Sequence, residues 1–244
     1  MDALSGSIDA VDLLAFGPHP DDIEIGIGGL VARHVQLGFR VGLCDLTAGE
    51  MGSNGSVEER LAEAEAARRV FGARWRVNLH LPDRSLGTQP EHAVAIANLV
   101  RAARPRSVAV PYWVDRHPDH VAASQLLTDA LFNAGLRRFK AAGDAWKPEW
   151  VCYYFINDAA SPSFVVDVSE AYDIKRTALA CHASQFQPSG ESAVQTRLTS
   201  ARFRQLIESR DAQFGALTGV AFAEGLVVRE PVLRPHLFRR WDAQ

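Results

Sequence analysis

Two short clusters of histidine and carboxylate side chains are the residues of this sequence best suited to chemistry. Residues 18–24 read PHPDDIE, and residues 115–120 read DRHPDH. Histidine nitrogen and carboxylate oxygen are both zinc ligands, and a catalytic zinc site combines three protein ligands with one position for water. Since the two clusters supply more than three candidate ligands, they predict a zinc site with side chains left over for proton transfer.

The adjacent residues Asp21 and Asp22 are expected to have two different tasks. Consecutive carboxylates do not easily reach one metal from a regular backbone, so one should bind the metal and the other should take a proton from water. Zinc lowers the pKa of a coordinated water to about 7, which makes hydroxide available at neutral pH. If His120 binds the metal, His117 is close enough in sequence to contact the reacting oxygen or the leaving group.

Strand and helix patterns alternate in the first half of the chain. Apolar runs predict strands over residues 11–16, 40–46, 76–81 and 107–110. Helical spacing and stop signals predict helices over residues 23–37, 57–71 and 91–103. This order is typical of an α/β fold that has a mostly parallel sheet with helices on both faces.

The second half has a mixed pattern. Strands are predicted over residues 151–156 and 164–168, and helices over residues 172–183 and 196–214. The chain contains no repeat, no low-complexity stretch and no clear linker. We therefore predict a single domain over residues 1–244.

The predicted strands place both clusters on one rim of the sheet, where the chemistry of such folds is found. The first cluster directly follows the first strand, and the second lies just beyond the fourth strand. Each cluster alone could be structural: the first a turn with an aspartate N-cap, the second a loop in which Asp119 caps a helix. Two such clusters at the same rim favour a site.

Composition narrows the class of protein. The net charge of -3 is spread along the chain without a basic tail, so we expect no nucleic-acid partner. Residues 1–11 lack the pattern of a signal peptide, and no run of eighteen apolar residues predicts a membrane span. The three cysteines are widely spaced without a CxxC pair, which fits a cytoplasmic protein whose metal is held by histidine and carboxylate.

Several other patterns are weaker candidates. Residues 26–29 (GIGG) resemble part of a dinucleotide fingerprint, but the third glycine is missing because residue 31 is valine. These small residues are expected to pack a helix closely on the sheet, and Cys44 is expected in the core. No serine lies in a G-x-S-x-G elbow. Four isolated histidines are expected to have structural roles: His34, His80, His92 and His236. The role of His182, near Gln185, is left open.

The two clusters resemble the PHPDD and HPDH motifs of the PIG-L/LmbE-like N-acetylglucosaminyl deacetylases. Residues 46–52 (LTAGEMG), 58–60 (EER) and 81–83 (LPD) also fit that family. The resemblance implies a Rossmann-like fold and a zinc enzyme that removes acetyl groups from GlcNAc conjugates. It further implies that His19, Asp22 and His120 are the zinc ligands, although another divalent metal could occupy such a set.

The resemblance also implies roles for the remaining site residues. Asp21 matches the general base, and His117 matches the residue that stabilises the oxyanion and protonates the amine. Arg60 and Arg116 match residues that line the substrate pocket, with salt bridges to Glu50, Glu59 or Asp115 as the alternative. Sugar contacts are the expected role of three further residues, for which capping or turn roles are equally open: Glu50, Asp83 and Gln185.

Finer motifs are similar to one branch of the family, the deacetylases of bacillithiol biosynthesis. These motifs are residues 111–116 (PYWVDR), 182–186 (HASQF) and 222–225 (FAEG). The branch hydrolyses N-acetylglucosaminyl malate to glucosaminyl malate and acetate, which implies a small GlcNAc-conjugate substrate. Members of the family often assemble, so we expect a homo-oligomer.

Other functions remain open at this stage. They are a deacetylase of another GlcNAc conjugate, an amidase of thiol S-conjugates, and a metal-binding protein without catalysis. The intact Asp21 argues against the last of these, because a pure binding site needs no base.

Overall fold

Seven strands form one sheet in the computed structural model, which describes residues 8–190 and 193–233. His236 lies outside the described residues. The strands are β1 (Leu13–Gly17), β2 (Val41–Asp45), β3 (Trp75–Asn78), β4 (Ser107–Pro111), β5 (Trp150–Tyr154), β6 (Phe164–Asp167) and β7 (Ala223–Val227). Their order across the sheet is β3-β2-β1-β4-β5-β7-β6. The pairs among β1 to β5 are parallel, and β7 is antiparallel to both β5 and β6.

Helices cover both faces of this sheet. They are α1 (Asp22–Gln36), α2 (Val57–Phe71), α3 (Pro90–Ala103), α4 (Pro118–Ala134), α5 (Tyr172–Cys181), α6 (Ala183–Phe186) and α7 (Ala201–Thr218). One apolar core joins α1, α2, α5 and α7 to the sheet, and a second joins α3 and α4 to the opposite face. The predicted α/β fold with a mostly parallel sheet and helices on both faces is confirmed.

The sequence-based prediction lacks helix α4, the short helix α6 and strand β7. Helix α4 begins at Pro118, which fits the first helical position because that position needs no backbone N–H donor. Strand β7 contains Glu224 and Gly225, neither typical of a strand, and is held by pairing with strands on both sides. Gly225 is required there, since a Cβ at this position would lie 2.7 Å from the Phe214 ring.

The glycine-rich run of residues 26–29 lies inside α1, as expected. A Cβ at Gly26 would overlap the ring of Tyr154 on β5, so this glycine allows the helix to approach the sheet closely. The Tyr154 hydroxyl then donates a hydrogen bond of 2.7 Å to the Phe16 carbonyl. Cys44 is fully buried in the core, also as expected.

Strand order determines where the two clusters lie. Strands β1 and β4 are neighbours, and the connections that follow them continue on opposite faces of the sheet, into α1 and α4. This reversal point at the carboxyl ends of parallel strands is where open α/β sheets bind ligands. None of the helices in the described part of the chain is long and apolar enough to cross a membrane.

Candidate metal centre and active site

The side chains of His19, Asp22 and His120 converge at the carboxyl ends of β1 and β4. Asp22 Oδ2 lies 3.0 Å from His19 Nδ1 and 3.3 Å from His120 Nε2. One candidate ligand atom from each residue lies within 4.8 Å of the others, and all three residues are buried. Two imidazoles and one carboxylate form a donor set that suits zinc and other divalent metals.

A second grouping, His19 with His117 and Asp119, meets the same distance limit. The charge of Asp119 is already offset, because both of its oxygens accept hydrogen bonds from Arg84, at 2.8 Å from Nη1 and 2.9 Å from the backbone N–H. Asp119 therefore has less capacity to bind a cation than Asp22. The set containing Asp22 is the better candidate metal centre.

His120 is oriented by a carboxylate that was not assigned to the site from sequence. Asp115 Oδ1 lies 3.1 Å from His120 Nδ1, while the opposite ring nitrogen faces Asp22. Asn157 fixes Asp115 in turn, through a backbone hydrogen bond of 3.0 Å and a side-chain hydrogen bond of 3.0 Å. Metal-binding histidines usually have such a carboxylate partner on the second nitrogen. The signal in the sequence was an aspartate two residues before His117.

His117 is the N-cap residue of α4, a role that one structural interpretation gave to Asp119. Its Nδ1 accepts the backbone N–H of Asp119 at 3.2 Å. Its ring stacks on that of His120, with centroids 4.6 Å apart, and lies 5.0 Å from that of His19. Burial and the charges of His120 and His19 lower the pKa of His117, so its neutral form is favoured. Since Nδ1 is an acceptor, the neutral ring bears its proton on Nε2.

Carboxylates outnumber cations around the two remaining imidazoles. Burial alone would lower the pKa of His120, but Asp22 and Asp115 outweigh it and raise this pKa to about 9. The pKa of His19 is also raised above its usual value, because hydrogen bonds to nearby aspartates outweigh burial. A site with this excess of negative charge attracts a cation, and a metal would displace the imidazole protons on binding.

Asp21 has an unusual backbone conformation, with φ 131° and ψ −26°. This strained region is rare for L-residues and is often found at functional sites. Asp21 is the N-cap residue of α1, but its side chain makes no capping hydrogen bond. Helix capping, the structural role considered from the sequence, therefore does not explain this aspartate. Burial raises the pKa of its carboxyl group to about 6, against the opposing charge of Arg60.

Arg60 on α2 is buried and holds the loops of the site together. Its guanidinium donates to the carbonyl oxygens of Gly49, at 2.9 Å, and Pro20, at 3.1 Å. Arg60 Nη2 also lies 3.4 Å from Asp21 Oδ2. Glu59, one of the ion-pair partners considered for Arg60 from the sequence, does not pair with it and closes a capping box at the start of α2. The carboxylate partner of Arg60 is thus Asp21.

Of the other residues predicted to contact substrate, Asp83 and Glu50 lie beside His19, whereas Gln185 and Arg116 are not hydrogen-bonded to it. Asp83 Oδ1 is 3.3 Å from His19 Nε2, and Glu50 Oε1 accepts the backbone N–H of Asp83 at 2.7 Å. Gln185 is buried and donates to the Asn54 carbonyl at 2.6 Å, and Arg116 is exposed. Within the described residues, no hydrogen bond or ion pair links Arg116 or Gln185 to His19, Asp22 or His120.

A buried group of charged residues lies beside the first turn of α1. Arg76 on β3 forms ion pairs with Glu24, at 2.5 Å, and with Asp45, at 2.7 Å. The imidazole of His182 is fully buried, with Nε2 3.5 Å from Glu24 Oε2. Burial alone would raise the pKa of Glu24, but the charges of Arg76 and His182 lower it to about 2. Arg76 and Asp45 were not predicted from sequence, because neither belongs to a recognisable motif.

Known proteins are similar to this chain over the region that carries the two clusters. The PIG-L family model, described as GlcNAc-PI de-N-acetylase, matches residues 14–131, a stretch that contains both clusters. Diacetylchitobiose deacetylase from Thermococcus kodakarensis is 31% identical over 193 residues, 73% of this chain and 71% of that protein. The chain belongs to the PIG-L family. Within this family it is an N-deacetylase, a hydrolase that acts on amides.

Two further relatives extend the PIG-L match. The conserved protein TT1542 from Thermus thermophilus is 37% identical, with a TM-score of 0.85, and the alignment covers 94% of this chain and all of that one. A protein named probable N-acetyl-alpha-D-glucosaminyl L-malate deacetylase 2, from Bacillus subtilis, is 25% identical over 192 residues. That alignment covers 71% of this chain and 82% of the Bacillus protein.

If this PIG-L deacetylase binds a divalent metal at His120, the Asp115→Asn substitution is expected to raise the dissociation constant, tested with zinc, by about 10- to 100-fold, as is typical for partners of metal-binding histidines. An asparagine can no longer accept the imidazole proton with a full negative charge. Competition with a chromophoric chelator measures the effect. Asp12→Asn, at the opposite end of β1, should leave the affinity unchanged. Wild-type zinc affinity in folded Asp115→Asn protein would contradict the orienting role.

Proposed function

We propose that this N-deacetylase hydrolyses N-acetylglucosaminyl malate to glucosaminyl malate and acetate in bacillithiol biosynthesis. The observation that carries the reaction type is the convergence of His19, Asp22 and His120 in space. A further carboxylate, Asp21, directly precedes Asp22 in the chain. The malate conjugate is supported by the name of the Bacillus relative and by the resemblance of residues 111–116 and 222–225 to the bacillithiol branch. The relative from Thermococcus is named for a different GlcNAc substrate, which is the alternative.

His19, Asp22 and His120 are the proposed ligands of a zinc ion. Zinc, when bound, supplies a Lewis acid that polarises an amide carbonyl and makes water more acidic. Asp115 keeps the imidazole of His120 turned toward Asp22. The excess of carboxylates around the imidazoles supports a divalent cation here.

Asp21 is the proposed general base. Its carboxylate is buried next to a ligand, and Arg60 Nη2 lies 3.4 Å from Oδ2. Oδ1 is then the oxygen that accepts the proton of the attacking water, while the water oxygen bonds to the carbonyl carbon. Arg60 restrains both the carboxylate and the loops on either side of it.

His117 is the proposed donor to the oxyanion. With Nδ1 accepting the Asp119 N–H, its Nε2–H is available to the developing oxyanion. The proton that Asp21 removes from water passes to the amine nitrogen as the carbon–nitrogen bond breaks, which releases acetate and the free amino sugar. We propose Asp21 for this step because the neutral His117 ring would become an imidazolate if it lost its Nε2 proton.

The proposed substrate contacts are assigned from the exposure and the hydrogen bonds of the side chains around the site. Arg116 lies within the second cluster and is exposed, and its planar guanidinium suits the malate carboxylates. Glu50 and Asp83, joined to each other beside His19, are proposed acceptors for sugar hydroxyls. Arg60 and Gln185 are proposed to shape the pocket by fixing its loops.

We also propose one catalytic domain over residues 1–244, a cytoplasmic location and a homo-oligomer. Strands from both halves of the described chain share one sheet. The three cysteines are free thiols, which fits a reducing compartment. The homo-oligomer rests on the family resemblance alone, since members of this family often assemble.

Acetate release tests the proposed function. We expect zinc-loaded protein to deacetylate N-acetylglucosaminyl malate much faster than plain GlcNAc or diacetylchitobiose, and a chelator to abolish turnover until zinc is restored. Similar turnover of the three substrates would retain the deacetylase and overturn the malate substrate. Turnover confined to thiol S-conjugates would favour the amidase, and no turnover by fully metallated protein would favour a binding protein.

A further inference from the structure

Helix α1 is interrupted within its buried part. Ile27 has φ −139° and ψ 26°, which are not helical values, so a first segment that begins at Asp22 is followed by a second segment. A break in a helix leaves backbone N–H and C=O groups without their usual partners. Because residues 22–32 are all buried, water does not satisfy these groups. They need partners from elsewhere in the protein.

Two charged side chains from the C-terminal part of the chain supply those partners. Glu224 on β7 accepts the backbone N–H of Gly29 at 2.9 Å and that of Leu30 at 2.6 Å. Arg210 on α7 donates to the carbonyl oxygen of Ile25 at 2.7 Å. Each side of the break is therefore hydrogen-bonded to a buried charge.

These two residues belong to a network with balanced charge. Lys175 Nζ lies 2.6 Å from both Glu224 and Asp211, and Arg210 Nε lies 3.0 Å from Asp211. The cations Lys175 and Arg210 thus pair with the anions Asp211 and Glu224. None of these four residues is more than 9% exposed. Buried ion networks of this kind add little net stability compared with apolar packing. A contribution to overall stability alone does not account for this network.

The first segment of α1 carries the residues of the proposed site. Asp22 begins the segment, and Asp21 precedes it. Glu24 in the same segment is held by Arg76 on β3, and Gly26 lies against the ring of Tyr154. The hydrogen bond from Arg210 to Ile25 adds to these contacts at the end of the segment, where the helix breaks.

We infer that Glu224 and Arg210 are positioning residues for the metal centre, because they fix the break in α1 and hence the direction in which Asp22 and Asp21 face His120. This inference rests on the proposed function in taking Asp22 as a metal ligand. It assigns a task to Glu224 in the FAEG motif, which no part of the proposed reaction uses. Neither residue touches the reacting atoms, so their effect must pass through the backbone of α1.

Glu224→Gln is a variant of the same shape that tests this positioning. A glutamine has one carbonyl oxygen, so it can accept only one of the two backbone N–H groups well. We expect the zinc dissociation constant to rise about tenfold, in the range seen for outer partners of metal ligands. The visible spectrum of the cobalt-substituted protein should also change, because the ligand geometry changes. Both are measured well below the melting temperature of each variant.

Arg101→Lys is the matched control, since Arg101 is a buried charge on α3 that donates to the backbone carbonyls of Ala134 and Leu136 and has no hydrogen bond to α1 or to this network. It should lower the melting temperature about as much as Glu224→Gln while leaving zinc affinity and the cobalt spectrum as in wild type. Wild-type affinity and spectrum in Glu224→Gln would overturn the inference, and so would equal changes in both variants.

Asp22→Asn is measured alongside, to separate the inference from the proposed ligand set. If Asp22→Asn keeps wild-type affinity, the proposed ligand set fails together with the inference. If Asp22→Asn loses affinity while Glu224→Gln does not, the inference alone fails.

Discussion

Replacing Asp21 with asparagine is expected to lower kcat for amide hydrolysis by about 10²- to 10⁴-fold, the usual contribution of a general base. Asparagine has the same shape but cannot accept the proton of the attacking water. The backbone should tolerate the change, because asparagine shares with aspartate an unusual tolerance of positive φ. The hydrogen bond from Arg60 can be retained by the amide oxygen.

Metal content separates this effect from loss of the metal centre. Asp21→Asn should bind zinc as wild type does, because Asp21 is not in the proposed ligand set. Asp22→Asn is the contrasting variant and should lose both zinc and activity. Zinc is measured by elemental analysis, and kcat on the best substrate in the acetate-release comparison. An Asp21→Asn protein with full zinc content and wild-type kcat would contradict the assignment of the base.

The part of the site that could be predicted from sequence is the part encoded locally. The PHPDD motif directly follows an apolar strand, so its place at a carboxyl end follows from the parallel sheet. The convergence of His120 with Asp22 follows similarly, because β1 and β4 are the first strands on either side of the reversal point. Neither prediction required knowledge of distant packing.

The partners of these residues could not be predicted in the same way. Arg60 had several carboxylates within reach in the sequence, and only the packing of α2 against the loop after β1 selects Asp21. Glu224 lies 195 residues from Gly29, whose N–H it accepts, and no local pattern connects the two. The break in α1 is also invisible locally, since residues 26–29 suit a closely packed continuous helix equally well. Long-range hydrogen bonds of this kind are determined by tertiary structure.

Replacing His117 with asparagine is expected to lower kcat by about 10²- to 10³-fold, as is typical for loss of one oxyanion donor. Because that interaction forms only in the transition state, kcat and kcat/KM should fall together. Asparagine is a favoured N-cap residue, so it can still accept the Asp119 N–H at the start of α4. The side chain is too short to replace the Nε2–H of the imidazole.

His117→Ala provides the matched comparison, because it removes the donor and the cap together. Its kcat should equal that of His117→Asn, while its free energy of unfolding should be lower by about 1 kcal/mol, the usual value of an N-cap. Thermal denaturation and steady-state kinetics of zinc-loaded protein measure the two effects separately. If kcat instead followed stability, with His117→Asn close to wild type, His117 would act only as the cap of α4. Equal losses of kcat in the two variants would place its contribution at the reacting oxygen.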